Sequence, residues 1–151
     1  MAPEAGEVLG EPELERPLFG SGGGGVVQLG GSSGPGGAGG GLLILSVTRA
    51  EVAEGGRVAA SGEDGSAWAA GTWTYGAGGG AGGSLILEAQ TLVLGAGTVE
   101  ALGGAGYADV DRPGGDGGFG RIRVGCDTVN GVACADGGFD GLVEPTPWVG
   151  E

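Results

Sequence analysis

The apolar residues of this chain fall in short runs whose spacing is that of β-strands. After residue 84 they alternate first on one phase and then on the other, in the order Leu85, Leu87, Ala89, Leu92 and Leu94. Alternation of period two predicts strands, and the change of phase predicts a corner between them. A third apolar group follows at residues 99–101. The predicted fold is all-β: a short β-solenoid or β-helix-like repeat with long glycine-rich loops. A β-sandwich with glycine-rich hairpin loops fits nearly as well.

The same plan occurs twice. Residues 40–45 match residues 82–87 at an offset of 42 residues, and residues 56–62 match residues 97–103 at an offset of 41. Shorter fragments of these blocks flank them at residues 24–29 and 118–124. Repetition at this period is typical of proteins that stack similar units.

These patterns predict that the chain has three parts. Residues 1–19 are acidic and contain prolines that break any helix, so they predict an extended tail or linker. Residues 20–125 predict a glycine-rich β-repeat domain, with units at about 40–62 and 82–104. Residues 126–151 are predicted to be a C-terminal segment that contains both cysteines.

Glycine supplies 42 of the 151 residues, and its placement restricts the fold. Each glycine in a regular element costs roughly 0.5–1 kcal/mol relative to alanine. The long tracts, near residues 30–41, 76–83 and 103–118, are therefore expected in turns, in mobile loops or in extended polyproline-II (PPII) segments. The glycines do not recur at every third position, which excludes collagen, and the aliphatic runs argue against general disorder.

The charge excludes several functions. The chain has six arginines, no lysine and no histidine against 19 acidic residues, for a net charge of −13. This balance argues against binding of nucleic acid or of an anionic membrane surface. Without histidine or lysine, histidine-based hydrolytic triads and P-loop chemistry are impossible. No apolar stretch approaches the roughly 20 residues that a membrane helix needs, so membrane insertion is not expected.

Three ordered blocks carry a family resemblance: residues 78–89 (GGGAGGSLILEA), 92–106 (LVLGAGTVEALGGAG) and 117–124 (GGFGRIRV). Together they resemble the glycine-rich repeats of large bacterial surface or adhesin-like proteins of the myxobacterial type. The resemblance covers residues 20–125. It implies a secreted or surface-exposed β-repeat region with a structural or adhesive role, and it brings no catalytic residues.

The two cysteines, Cys126 and Cys134, bracket an Asn130-Gly131 pair. Asn-Gly is a strong turn signal, so the segment can fold back and bring the thiols together. A disulfide here would add roughly 2.5 kcal/mol on the loop-entropy model. We expect the disulfide in an exported protein and two free thiols in a cytosolic one.

Acidic residues gather late in the chain. Calcium prefers carboxylate and carbonyl oxygens, so five of these residues are candidate calcium ligands: Asp109, Asp111, Asp116, Asp136 and Asp140. The alternative is that these are turn residues that face solvent. No other cofactor is predicted.

Two further groups are candidates for ligand binding. Arg121 and Arg123 alternate around one residue and should share a strand face, where they could bind an anionic glycan, pair with nearby aspartates or form a solvated face. Trp68, Trp73 and Tyr75, with Thr72 and Thr74 between and beside them, form a possible flat recognition face for carbohydrate or ice.

The favoured function is a non-enzymatic structural or adhesive surface repeat domain. The alternative is a carbohydrate- or ice-binding module that uses the aromatic/threonine face. A carboxylate-based polysaccharide-cleaving β-helix is a weaker third hypothesis. The first residues show no signal peptide, so we expect either an internal protein or, more in keeping with the repeat, a secreted or cell-surface piece of a longer chain. Exposed strand edges favour further units or self-association, with a glycan or protein as partner.

Overall fold

The computed structural model describes residues 14–27, 33–70, 73–95, 99–108 and 110–150. These residues are mostly strand, with one short 3₁₀ helix at Cys134–Asp136. In chain order the strands are β1 (Val26–Val27), β2 (Ser33–Gly34), β3 (Leu42–Val52), β4 (Val58–Ala59), β5 (Ala67–Ala70), β6 (Trp73–Gly76), β7 (Ser84–Leu94), β8 (Val99–Glu100), β9 (Arg121–Val129), β10 (Val132–Ala133), β11 (Val143–Glu144) and β12 (Trp148–Val149).

The three long strands β3, β7 and β9 lie parallel and in register in one sheet, with the order β10-β9-β7-β3 and with β12 also paired to β9. Leu43 stands beside Leu85, which in turn stands beside Ile122. Strands β4, β8 and β11 form a second, smaller parallel sheet, where Val58 pairs with Val99. The offsets of 42 and 41 residues read from the sequence are thus the registers of neighbouring strands.

The change of phase occurs at the same level of all three long strands. The paired positions pass over Thr48 between β3 and β7, and over Asp127 between β7 and β9. The offset of 42 residues between β3 and β7 is the same before and after this point, so the register does not change. Each long strand continues through it as one strand, so the predicted corner is wrong, and in β7 the buried side chains change phase within the strand. Leu85 and Leu87 before the shift and Leu92 after it therefore all reach the same core.

The core lies between the large and the small sheet. Its fully buried side chains are Leu85, Leu92, Ile122, Val99, Val124, Val129 and Cys134. Burial of this apolar area is the main stabilising contribution from side chains. Because β7 has a paired strand on each side, its apolar residues are the best covered.

The prediction of an all-β fold is confirmed, but the described strands form small mixed sheets and no closed β-solenoid or β-helix turn is seen among them. The reason is that the chain leaves the sheets after β4 and β8 and continues as a glycine segment. Such a segment does not form the third side of a coil.

The glycine segments form a bundle of their own, which we call the glycine bundle. Its members are residues 20–25, 34–41, 60–66, 77–83, 101–107 and 114–120. The partners within it recur every three residues, which is the periodicity of the PPII helix. Of the conformations expected for these tracts, packed PPII segments are therefore the ones observed.

Residues 77–83 form the centre of the glycine bundle. All seven of their N–H groups donate to backbone carbonyls. Successive residues donate to three neighbouring segments in a fixed order that repeats: residues 60–66, then residues 20–25, then residues 114–120. Carbonyls of the same segment accept from residues 34–41 and 101–107. PPII has no internal hydrogen bonds, so these lateral bonds satisfy the buried backbone groups.

Close approach is what requires glycine here. A Cβ on Gly80 would lie against the carbonyl oxygen of Ala38 and 2.9 Å from that of Gly37. Real Cβ atoms essentially never come this close to backbone atoms, so a side chain would force the segments apart.

The end of the predicted tail packs on the domain. Residues 1–13 lie outside the described residues. Leu14 is buried, and Leu18 and Ser84 exchange two hydrogen bonds: the Leu18 N–H donates to Ser84 Oγ (3.0 Å) and that hydroxyl donates to the Leu18 carbonyl (2.7 Å).

Candidate functional site

The three predicted aromatic residues lie on one hairpin, formed by β5 and β6. Trp68 is directly opposite Tyr75 in the antiparallel register, with ring centroids 6.1 Å apart. Trp73 is two residues from Tyr75 and therefore on the same face. Its side chain is 55% exposed. The structure thus brings Trp68, Trp73 and Tyr75 together as one aromatic face, whereas Thr74 alternates to the opposite face and Thr72 lies outside the described residues.

The hairpin is fixed to the rest of the domain at its β6 strand. The Thr74 N–H donates to Asp111 Oδ2 (3.0 Å), and the guanidinium of Arg112 lies 6.0 Å from the centre of the Tyr75 ring. On the other strand, Gly34 lies beneath Trp68, so close that a Cβ there would be 2.9 Å from the Trp68 Cβ. These contacts hold the aromatic face in a defined position, as a stacking surface for a ligand requires.

A second candidate site, which the sequence did not reveal, is a polar trough across the large sheet. It is an open cavity of about 570 Å³ at the level of the phase shift. Its polar lining comes from all three long strands: Ser46, Glu88, Gln90, Arg123 and Asp127. The trough presents donors and acceptors on one open surface, an arrangement that suits a hydroxyl-rich ligand.

Arg123 is the cation of this trough. One of its Nη atoms lies 3.7 Å from a carboxylate oxygen of Glu88, and its guanidinium lies 5.3 Å from the centre of the Trp148 ring. Its Nε is buried and has no hydrogen-bond partner within the described part of the chain. Arg121 and Arg123 lie two residues apart on β9, beside Ser84 and Ile86 of β7.

The proposed calcium ligands lie in separate places. Asp111 Oδ2 accepts the N–H of Thr74, and Asp116 Oδ1 accepts the N–H of Gly106 (2.7 Å). Asp136 ends the 3₁₀ helix and Asp140 lies in the turn before β11, while Asp109 lies outside the described residues. Within the described ranges, no three Asp, Glu, Cys or His side chains are grouped closely enough to hold a metal ion.

The cysteines are joined. Cys126 on β9 and Cys134 at the start of the 3₁₀ helix form a disulfide, with their Cα atoms 5.8 Å apart. The chain reverses between them at Asn130 and Gly131, whose φ angles of 48° and 82° are those of a two-residue hairpin turn. The Asn-Gly turn prediction is confirmed. Asn130 also holds β7, because its amide exchanges two hydrogen bonds with the backbone of Leu94.

Comparison with protein-family models, curated proteins and solved structures found no match for this chain. In the part of the chain that the structure describes, no helix has both the length and the hydropathy to cross a bilayer.

The trough escaped sequence reasoning because its residues are distant along the chain. Ser46 and Glu88 are neighbours only through the register of β3 and β7, and Asp127 approaches them from β9. Aligning the repeat units position by position would have placed Ser46 beside Glu88.

Proposed function

We propose that this chain is a non-enzymatic structural module of a stacked β-repeat array, with an adhesive role on a secreted or cell-surface protein. Its units would stack in the manner of a solenoid, each adding one long strand to the large sheet and glycine segments to the bundle. The observation that carries this proposal is the difference between the two outer edges of the large sheet, one at β9 and the other at β3.

Within the described residues, the edge strand β9 has further strands paired to its outer edge, and the edge strand β3 has none. Strands β10 and β12 pair with the outer edge of β9, whereas no described strand pairs with the outer edge of β3. On β3, Leu43 and Ile44 are 39% and 58% exposed, while their partners Leu85 and Ile86 on β7 are buried. β3 is an eleven-residue edge strand that begins with four apolar residues, Leu42 to Leu45. A long edge strand with exposed apolar residues can pair with a further strand. A further unit that paired with β3 in the same register would bury the apolar side chains of β3, in the way that β3 covers those of β7.

The test is a chain that carries a second copy of residues 34–75 inserted before residue 34, which keeps the 42-residue offset between β3 and β7. In a stacked array, stability is a sum of unit and interface terms, so the extra unit should raise the free energy of unfolding and melt in one cooperative transition. The matched control carries Leu43→Ser and Leu45→Ser in the inserted copy alone. An inserted unit that stays unprotected in amide exchange, with unchanged stability, would contradict the proposal.

A second candidate function is carbohydrate binding by the aromatic hairpin. It is favoured by the shared face of Trp68, Trp73 and Tyr75 and by the exposure of Trp73. Flat exposed rings bury sugar faces with little loss of conformational entropy.

Glycan-array binding tests this second function. Trp73→Ala should abolish any signal, whereas Phe19→Ala, which removes another exposed ring near residues 81–84, should leave it unchanged. Binding that survives Trp73→Ala, or the absence of any glycan ligand, would remove this candidate while leaving the structural proposal intact.

A further inference from the structure

Residues 130–150, which we call the cap, cover the outer edge of the large sheet. Strand β10 of the cap pairs antiparallel with the last residues of β9. Strand β12 of the cap pairs parallel with the middle of β9, where Trp148 stands beside Arg123. The Gly150 N–H then donates to the Val124 carbonyl (3.1 Å). The cap therefore occupies the outer edge of β9 at two separate levels.

The cap also covers the small sheet at the same end of the molecule. Strand β11 pairs parallel with β8, on the side of β8 that faces away from β4. Two backbone hydrogen bonds join them: the Val99 N–H donates to the Leu142 carbonyl (3.2 Å), and the Ala101 N–H donates to the Glu144 carbonyl (2.9 Å). One segment of the chain thus closes the outer edge of β8 as well as that of β9.

Side chains of the cap close the core at this end. Cys134, Phe139 and Val143 are buried and belong to the same core as the apolar residues of β7 and β9. The disulfide from Cys134 to Cys126 attaches the cap covalently to β9. Water is therefore excluded from the β9 end of the core by a segment that is fixed to the sheet.

The strands of the cap do not offer an edge on which a further long strand could pair. Strands β10, β11 and β12 have two residues each, and β10 runs antiparallel to its neighbour whereas the long strands are parallel. Pro145 and Pro147, which have no N–H to donate, lie between β11 and β12. Very short edge strands and prolines are devices by which natural sheets prevent further pairing. A repeat unit beyond the cap would find no row of donors and acceptors like that of β7.

The opposite end of both sheets lacks these features in the part of the chain that the structure describes. Strands β3 and β4 are outermost there, and no described strand pairs with their outer edges. Leu45 on β3 is only partly buried, whereas its partner Leu87 on β7 is buried. In the small sheet, Val58 on β4 is partly buried and its partner Val99 on β8 is fully buried. The core is therefore open at the β3 and β4 end.

We infer that the stack extends in one direction only: the β3 and β4 end docks a further repeat unit, and the cap excludes any unit from the β9 and β8 end. The partner is a polypeptide unit built like residues 34–75, with a long strand that pairs parallel to β3 and a short strand that pairs parallel to β4. This inference rests on the proposed function of a stacked array. It adds the direction of stacking and names the segment that ends it.

The experiment places the same extra unit, a copy of residues 84–120, on either side of the cap in two full-length chains. In the first chain the copy is inserted after Gly120, ahead of β9 and the cap. Ser84 pairs with Arg121, an offset of 37 residues (121 − 84), so this copy enters in the register of β7 and β9. In the second chain the copy follows residue 151, behind the cap.

Amide hydrogen exchange, resolved by residue with NMR, gives the result. In the first chain, the N–H groups of the copied Leu85 and Leu87 should exchange at least about tenfold more slowly than in an unstructured peptide, and the free energy of unfolding should rise. In the second chain, the copy should exchange at the rate of an unstructured peptide and show no NOE to β9. The original β7 should stay protected in both chains.

Three outcomes would overturn the inference. A copy behind the cap that is protected and contacts β9 would mean that the cap excludes nothing. Loss of protection in the first chain, in the copy or in the original strands, would mean that the cap does not close a longer stack. A dimer of the unmodified chain in light scattering, with its β3 edges paired, would mean that the occupant is a second copy. Failure of the unit inserted before residue 34 contradicts the proposed function instead, so the two failures are distinguishable.

Discussion

Alanine at position 80 would probe the glycine bundle at its centre. The Gly80 N–H donates to the Glu63 carbonyl (2.8 Å), and its carbonyl accepts the N–H of Gly104 (2.8 Å). An added Cβ would lie against the carbonyl of Ala38 on a third segment. A single methyl group therefore acts on three neighbouring segments at once.

The size of the effect follows from these contacts. Overpacking a dense interior costs about 1–3 kcal/mol, and each of the two hydrogen bonds contributes about 1 kcal/mol. Gly80→Ala should then lower the free energy of unfolding by about 3–5 kcal/mol, which is a large share of the roughly 5–15 kcal/mol of a typical domain.

The matched control is Gly24→Ala, in a segment at the edge of the bundle. A Cβ at Gly24 meets nothing within 4 Å, and its φ lies outside the left-handed region. This substitution should stabilise the fold by about 0.4–1 kcal/mol, because alanine restricts the unfolded chain.

Urea unfolding followed by tryptophan fluorescence and by far-ultraviolet circular dichroism measures both variants. If the free energies of unfolding of Gly80→Ala and Gly24→Ala differ by less than about 1 kcal/mol, the close packing of the glycine segments is refuted.

Three further predictions concern the sheets and the C-terminal segment. Reducing the disulfide at Cys134 should lower the free energy of unfolding by about 2.5 kcal/mol, measured by urea unfolding with and without reductant; no change would contradict the loop-entropy argument. Asn130→Ala should cost about 1–3 kcal/mol, because it places alanine at a φ of 48° and removes both bonds to Leu94, and Asn130→Gly should cost less. Leu92→Ala should cost about 2–5 kcal/mol and Leu43→Ala less than half as much, since Leu92 is fully buried and Leu43 is 39% exposed; equal thermal shifts would contradict the burial difference.

The strands and their registers were largely predictable from side chains. The alternation of Leu85 and Leu87, the change of phase before Leu92 and the 42-residue offset all appear in the sequence and correspond to observed pairings. The Asn130-Gly131 turn was predictable because its residue types favour positive φ. In these places the pattern of side chains and the geometry of the backbone carry the same information.

The glycine bundle was predictable only as a possibility. Its specificity lies in backbone donors and acceptors, such as the N–H groups of Gly79 and Gly82, which donate to the same neighbouring segment. Glycine-rich sequence does not show which carbonyl accepts which N–H. Long-range pairs such as Arg123 with Trp148 were likewise hidden, because a short strand, β12, returns to β9 from the end of the chain.

Amide hydrogen exchange, resolved by residue with NMR, tests the central claim most directly. The account predicts that the N–H groups of residues 78–83 exchange as slowly as those of β7, because each donates to a neighbouring backbone carbonyl. Ser21 and Gly24 are exposed and their N–H groups donate to no backbone carbonyl of the described chain, so they should exchange rapidly. Exchange of residues 78–83 at the rate of an unstructured glycine peptide would contradict the account.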